Sequence, residues 1–166
     1  LEGGIEGKLA ELSREKNNFI VVSLMAANNE TGVIFPIAKI AALCEAAGAL
    51  FHVDAVQMLG KTLDSFSVRA SAAHMISFSA HKIFGPKGVG ALYLKRGLKL
   101  VSLIDGGAQE RKRRAGTHNV AGIVGFGIAA GLLREADPVH LKKLRDHLEQ
   151  GVLERISQVS IQGQNS

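Results

Sequence analysis

The apolar positions of this chain fall into short runs separated by polar or glycine-rich turns, the pattern of a layered α/β protein. Phe19-Ile20-Val21-Val22-Ser23-Leu24-Met25 is nearly continuous and rich in β-branched residues, which predicts a strand covered on both faces. After the polar loop Asn28-Asn29-Glu30-Thr31-Gly32, Pro36 opens a helical pattern with Ile37, Ile40, Ala41 and Leu43 on one side. Gly48 is placed to end it. Leu50-Phe51-His52-Val53 reads as a second strand, and a strand, helix, strand unit with a right-handed crossover makes the two strands parallel. A short amphipathic piece is expected near residues 66–70. Met75-Ile76-Ser77-Phe78-Ser79 and Ala91-Leu92-Tyr93-Leu94 give two more strands, and the tight glycine-rich turn between them favours an antiparallel return. A glycine-rich apolar helix is expected from Asn119 to about Glu135, where Asp137-Pro138 breaks it. A more charged helix over residues 140–156 follows, with Leu141, Leu144, Leu148, Val152 and Ile156 at helical spacing, and then a last strand near 159–161. The change of helix character at Asp137 marks the expected domain boundary, with residues 1–136 in one domain and 137–166 beginning another.

Composition narrows the picture. The chain has 166 residues, 46% of them hydrophobic. That suffices for one ordinary core burying roughly 70% of the surface of the unfolded chain. Nineteen glycines suit the many strand-to-helix turns of an α/β fold. The net charge of +5 is concentrated in Arg111-Lys112-Arg113-Arg114. Without interleaved aromatic residues this run reads as a solvated loop, which sets nucleic acid aside. The single cysteine, Cys44, rules out an internal disulfide framework and any multi-cysteine metal site, and no metal ligands are assigned. It suits a reducing compartment. No run approaches the ~18 consecutive apolar residues of a membrane span, and the first residues lack the charged and apolar regions of a signal peptide. A start on Leu and an end just after an apparent strand suggest an internal piece of a longer protein.

Three constellations carry chemistry. In His52-Val53-Asp54-Ala55-Val56-Gln57 a carboxylate stands just past the end of a strand, where open α/β sheets place ligands. Such a carboxylate needs a cationic or hydrogen-bonding partner, and a pyridinium nitrogen would serve; a helix cap or a structural ion pair is the alternative. In Ser77-Phe78-Ser79-Ala80-His81-Lys82-Ile83-Phe84-Gly85-Pro86-Lys87-Gly88 a lysine again follows a strand. A rigid turn holds its amine ready as a nucleophile, with a hydroxyl and an imidazole beside it. Lys87 is a turn residue. The third, Gly106 to Thr117, is a glycine-bearing basic loop before the helix at Asn119, and its amides and hydroxyl favour a phosphate.

Together with Asn28-Asn29-Glu30-Thr31-Gly32 and Gly106-Gly107-x-Gln109-Glu110-x-x-x-Arg114-x-Gly116-Thr117-x-Asn119, these motifs closely resemble the NifS/IscS-like cysteine desulfurases of the class-V aminotransferase group, in order along nearly the whole chain. The resemblance implies the central part of a large domain of the aspartate-aminotransferase type, a mixed but mostly parallel sheet flanked by helices, with the small domain beginning after Asp137. It implies pyridoxal 5'-phosphate (PLP) as cofactor, with Lys82 as the lysine that holds it covalently and acts in catalysis. Asp54 matches the carboxylate on the pyridine nitrogen. Asn29 and Gln57 match side chains at the phenolic oxygen or the substrate side of the ring. Ser79 and His81 match phosphate ligands, and Thr117 matches a residue reaching the phosphate from the second subunit of a homodimer. The family reaction takes sulfur from L-cysteine, leaves L-alanine, and passes an enzyme persulfide to an acceptor protein, as in iron–sulfur cluster assembly. A cytoplasmic location is implied, or a mitochondrial one in a eukaryote.

The chain also departs from the family. The family's ring-stacking histidine, persulfide-forming cysteine and substrate-binding arginine belong to segments this sequence does not contain. Cys44 lies in the apolar pattern after Pro36 and reads as a buried small hydrophobe. Ala108 and Lys112 stand where glycines are usual. Another class-V PLP enzyme, such as an aminotransferase or a selenocysteine lyase, or a non-catalytic truncated homologue, would share much of this pattern.

Overall fold

The computed structural model describes residues 2–15, 18–61, 71–133 and 137–163. Helix α1 (Glu2–Leu12) precedes strand β1 (Val21–Met25), helix α2 (Ile37–Ala46) and strand β2 (Leu50–Asp54). Strand β3 (Met75–Ser79) runs into a 3₁₀ turn (Ala80–Ile83), and strand β4 (Gly90–Leu94) returns beside it. A short turn of helix, α3 (Gln109–Lys112), and two longer helices, α4 (Val120–Leu132) and α5 (Pro138–Arg155), complete the order. The amphipathic piece expected at 66–70 lies outside the described residues.

The sheet order is β1-β2-β3-β4, parallel across the first three strands and antiparallel between β3 and β4. The parallel pairing of β1 with β2 and the antiparallel return are therefore as expected, and the sheet is mixed and mostly parallel. One face is the core. Val22 and Leu24 align with Phe51 and Val53, Val53 aligns with Ile76, and α2 covers them with Ile37, Ile40, Ala41 and Cys44. Phe51, Val53, Ile76, Ile40 and Cys44 are fully buried. Burial of this kind stabilises by roughly 1.5–3 kcal/mol per large side chain.

Two expectations are corrected, and one helix is added. Strand β1 is not covered on both faces: its residues alternate, with Val21, Ser23 and Met25 exposed, because α2 lies on one face only and β1 is at the sheet edge. Residues 159–161 form no strand, since no described strand runs alongside to supply hydrogen-bond partners. Helix α1 was not foreseen because Gly3, Gly4 and Gly7 are poor helix formers. Leu9, nearly buried beside α2, anchors it.

Candidate active site

The second face of the sheet is polar toward the strands' C-terminal edge. Ser23, His52, Asp54, Ser77 and Ser79 all fall on it, because side chains alternate and the registers pair Ser23 with His52 and Asp54 with Ser77. His52 bridges three strands: its Nδ1 is 2.8 Å from Ser23 Oγ and its Nε2 is 2.8 Å from Ser77 Oγ. Backbone bonds tighten the same edge. Ala26 N donates to Asp54 O at 2.8 Å, and Ala55 N donates to Ser77 O at 3.0 Å.

Asp54 ends β2 with its carboxylate exposed. One oxygen accepts from Val56 N at 2.9 Å, and among the described residues no cation lies within ion-pair distance. The bond to Val56 N is of the helix-cap kind, so the cap alternative stands, while no ion pair is seen among the described residues. On the adjacent strand, Ser79 leads into the 3₁₀ turn that carries His81 and Lys82. Ser79 Oγ lies 2.8 Å from His81 Nδ1. Lys82 is half-buried and makes no side-chain hydrogen bond or ion pair among the described residues.

The turn under Lys82 is tightly specified. Ala80 N donates to Val89 O at 3.1 Å and Gly85 N to Ala80 O at 2.9 Å. Phe84 closes it in the left-handed conformation, φ 64°, with its ring fully exposed. A bulky residue there stores strain of about 1 kcal/mol or more, a common feature of functional turns. Helix α4 packs directly on this turn, and Gly85 allows the approach: a Cβ there would sit 2.9 Å from Ala80 O and 3.3 Å from the Ala129 Cβ.

Gln57 lies in the turn after β2, and its Oε1 accepts from Lys61 Nζ at 2.7 Å. Asn29 is exposed in the loop after β1, at the same edge. Its neighbour Asn28 shapes that loop, with Oδ1 accepting from the amides of Glu30 and Thr31, both at 2.9 Å. Asp54, Gln57, Ser79, His81, Lys82 and Asn29 thus all belong to the C-terminal edge. Thr117 does not join them by any hydrogen bond or ion pair among the described residues; it is exposed in the segment leading to α4, whose N-terminus Asn119 caps by accepting from Gly122 N at 3.1 Å. In the basic loop before it, Glu110, Arg111 and Lys112 adopt φ of 49°, 57° and 64°. Lys112 thus takes a left-handed conformation, where the usual glycine would be unstrained.

Two groups at this edge had no role assigned from sequence. His52 stands two residues before Asp54, a spacing that puts both on one face, but its serine partners emerge only from the register. Lys61 stands four residues after Gln57, in a turn whose course sequence does not give.

The donor set fits PLP. It offers an amine for the aldehyde, a carboxylate with no ion-pair partner among the described residues for the ring nitrogen, and a hydroxyl–imidazole pair for phosphate oxygens, on two adjacent strand ends. These are the ends at which open parallel sheets bind cofactors. A class-V aminotransferase model matches residues 6–163, and the chain belongs to the aminotransferase class-V family, which is PLP-dependent in general. Among named relatives it is 52% identical over 146 residues to a cysteine desulfurase of Sinorhizobium fredii, covering 86% of this chain and 37% of that protein. It is equally identical to a cysteine desulfurase of Gluconacetobacter diazotrophicus, covering 86% and 36%. A NifS-like protein from Rickettsia africae superposes with a TM-score of 0.89 at 33% identity, over 97% of this chain and 45% of that one. The chain thus spans little more than a third of the length of the curated relatives it matches.

Proposed function

We propose that the protein is a PLP-dependent cysteine desulfurase and that these residues supply its cofactor-binding part, with residues 1–136 in the large domain and 137–166 opening the small one. The observation that carries this reading is a carboxylate without a cation partner among the described residues, Asp54, and an amine, Lys82, at the ends of neighbouring parallel strands. PLP, when bound, would supply an electron-withdrawing ring that stabilises negative charge on the substrate's α-carbon. Asp54 would accept the ring N–H in a charge-assisted bond worth roughly 1.5–3 kcal/mol. Ser79 and His81 would hold the phosphate, joined by Thr117 of a second copy in a homodimer, and Asn29 and Gln57 would contact the ring and the L-cysteine beside it. Lys82 would hold the cofactor covalently and, once displaced by substrate, take the α-proton as general base.

The sulfur would leave on a thiol outside these residues and pass to an acceptor protein. Cys44, the only cysteine in the 166 residues, is fully buried on α2, and burial pushes its thiol above the ordinary range, the reverse of what a nucleophile needs. The test is spectroscopic. The full-length protein is expected to take up PLP with a visible absorption band and, after borohydride, to retain the cofactor on Lys82. Lys82→Ala should abolish both, and an unchanged adduct in that variant refutes the assignment. The 166-residue chain alone should make no alanine from cysteine.

A further inference from the structure

One charge at this edge is not used by the mechanism above. Lys61 closes the turn after β2, and its Nζ donates to Gln57 Oε1 at 2.7 Å. An ammonium only donates, so the atom it holds is the amide oxygen, and the Gln57 NH₂ is the end left for another partner. The turn itself is anchored. Gly60 has φ +71°, and a Cβ on it would lie 2.4 Å from Leu133 Cδ2, so the residue at the end of α4 packs directly over the backbone from which Lys61 projects. Partial desolvation, and then the like charge of Lys82, hold the Lys61 ammonium below the usual lysine range.

We infer that Lys61 is a positioning residue that fixes the Gln57 amide with its N–H donors, not its carbonyl, toward the phenolic oxygen of bound PLP. The inference rests on the proposed reading that Gln57 faces the ring. A donor at that oxygen favours its charged form, so the visible band of the bound cofactor should change form at a lower pH when Gln57 is oriented than when it is free to turn.

The experiment is a pH titration of the visible band in the full-length PLP-loaded protein. Lys61→Met should raise the midpoint by about half a pH unit or more, roughly a threefold change in proton affinity. Lys61→Arg, which keeps charge and donor, should restore it. Gln57→Ala should raise the midpoint too, and Lys61→Met added to Gln57→Ala should raise it no further. Lys61→Gln replaces Lys61→Met if the latter does not fold. A midpoint unmoved by either neutral variant overturns the inference, as does an equal rise in the Gln57→Ala background, which would mean that the charge of Lys61 acts directly. If Gln57→Ala alone leaves the midpoint in place, the placement of Gln57 itself is wrong. If no band forms in the unaltered protein, the cofactor reading falls and takes this inference with it.

Discussion

The sheet with α2 and the helical region of α4 and α5 are both rich in apolar side chains, yet they use them differently. Around the sheet, Phe51, Val53, Ile76 and Ile40 are fully buried against one another. Along α4, Val120, Val124, Ile128 and Leu132 are each more than half exposed, and along α5 so are Leu141, Leu144 and Leu148. Hydrophobicity stabilises only where a second surface removes water from it. Helix α4 touches the 3₁₀ turn through Ala129, whereas α5 is held by its own chemistry: Asp137 accepts from His140 N at 2.9 Å, and Lys142 pairs with Asp146 at 2.6 Å.

The contrast can be broken most sharply in the core. Phe51→Ala should cost about 3–5 kcal/mol in urea unfolding, while Val124→Ala on α4 should stay within about 0.5 kcal/mol. Comparable losses would mean that α4 is covered in solution. A smaller effect is expected at Asn119, where Ala removes the α4 cap for about 1 kcal/mol, read as lost helicity by circular dichroism together with a lower unfolding midpoint. Smallest is the pH response of α5. Hydrogen bonds from Lys142 and then Arg145 hold the Asp146 carboxyl below its ordinary value of 3.8. A depressed carboxyl stabilises the fold above that value and ceases to do so as pH falls through its lower folded value. The difference in thermal midpoint between the unaltered protein and Asp146→Asn should therefore be constant above pH 5 and vanish in strong acid. These side chains are solvated, so the difference is small.

Much of the sheet region was legible because its signals are local. The runs around Val22, Phe51 and Ile76 mark strands, Pro36 and Gly48 bracket a helix, and Asp54 ends one strand while Lys82 lies in the turn after another, which is enough to bring both to one edge. What was not legible depended on partners distant in sequence. The exposure of Val21 and Met25 follows from β1 lying at an edge that α2 covers on one side only. Residues 159–161 have strand character but no neighbouring strand among the described residues. Ser23 and Ser77 acquire meaning only when the register sets them on either side of His52, and Lys61 only when the turn after β2 brings it back to Gln57.

That imidazole has a mechanical consequence. A hydroxyl can either give or receive a hydrogen, so a neutral ring between two of them keeps both bonds whichever nitrogen carries the proton, and a doubly protonated ring keeps them as well. The spacing of the three strands is thereby insulated from proton traffic a few residues away: a reaction centre built on this edge could shuttle hydrogens through every turnover without loosening its own foundation.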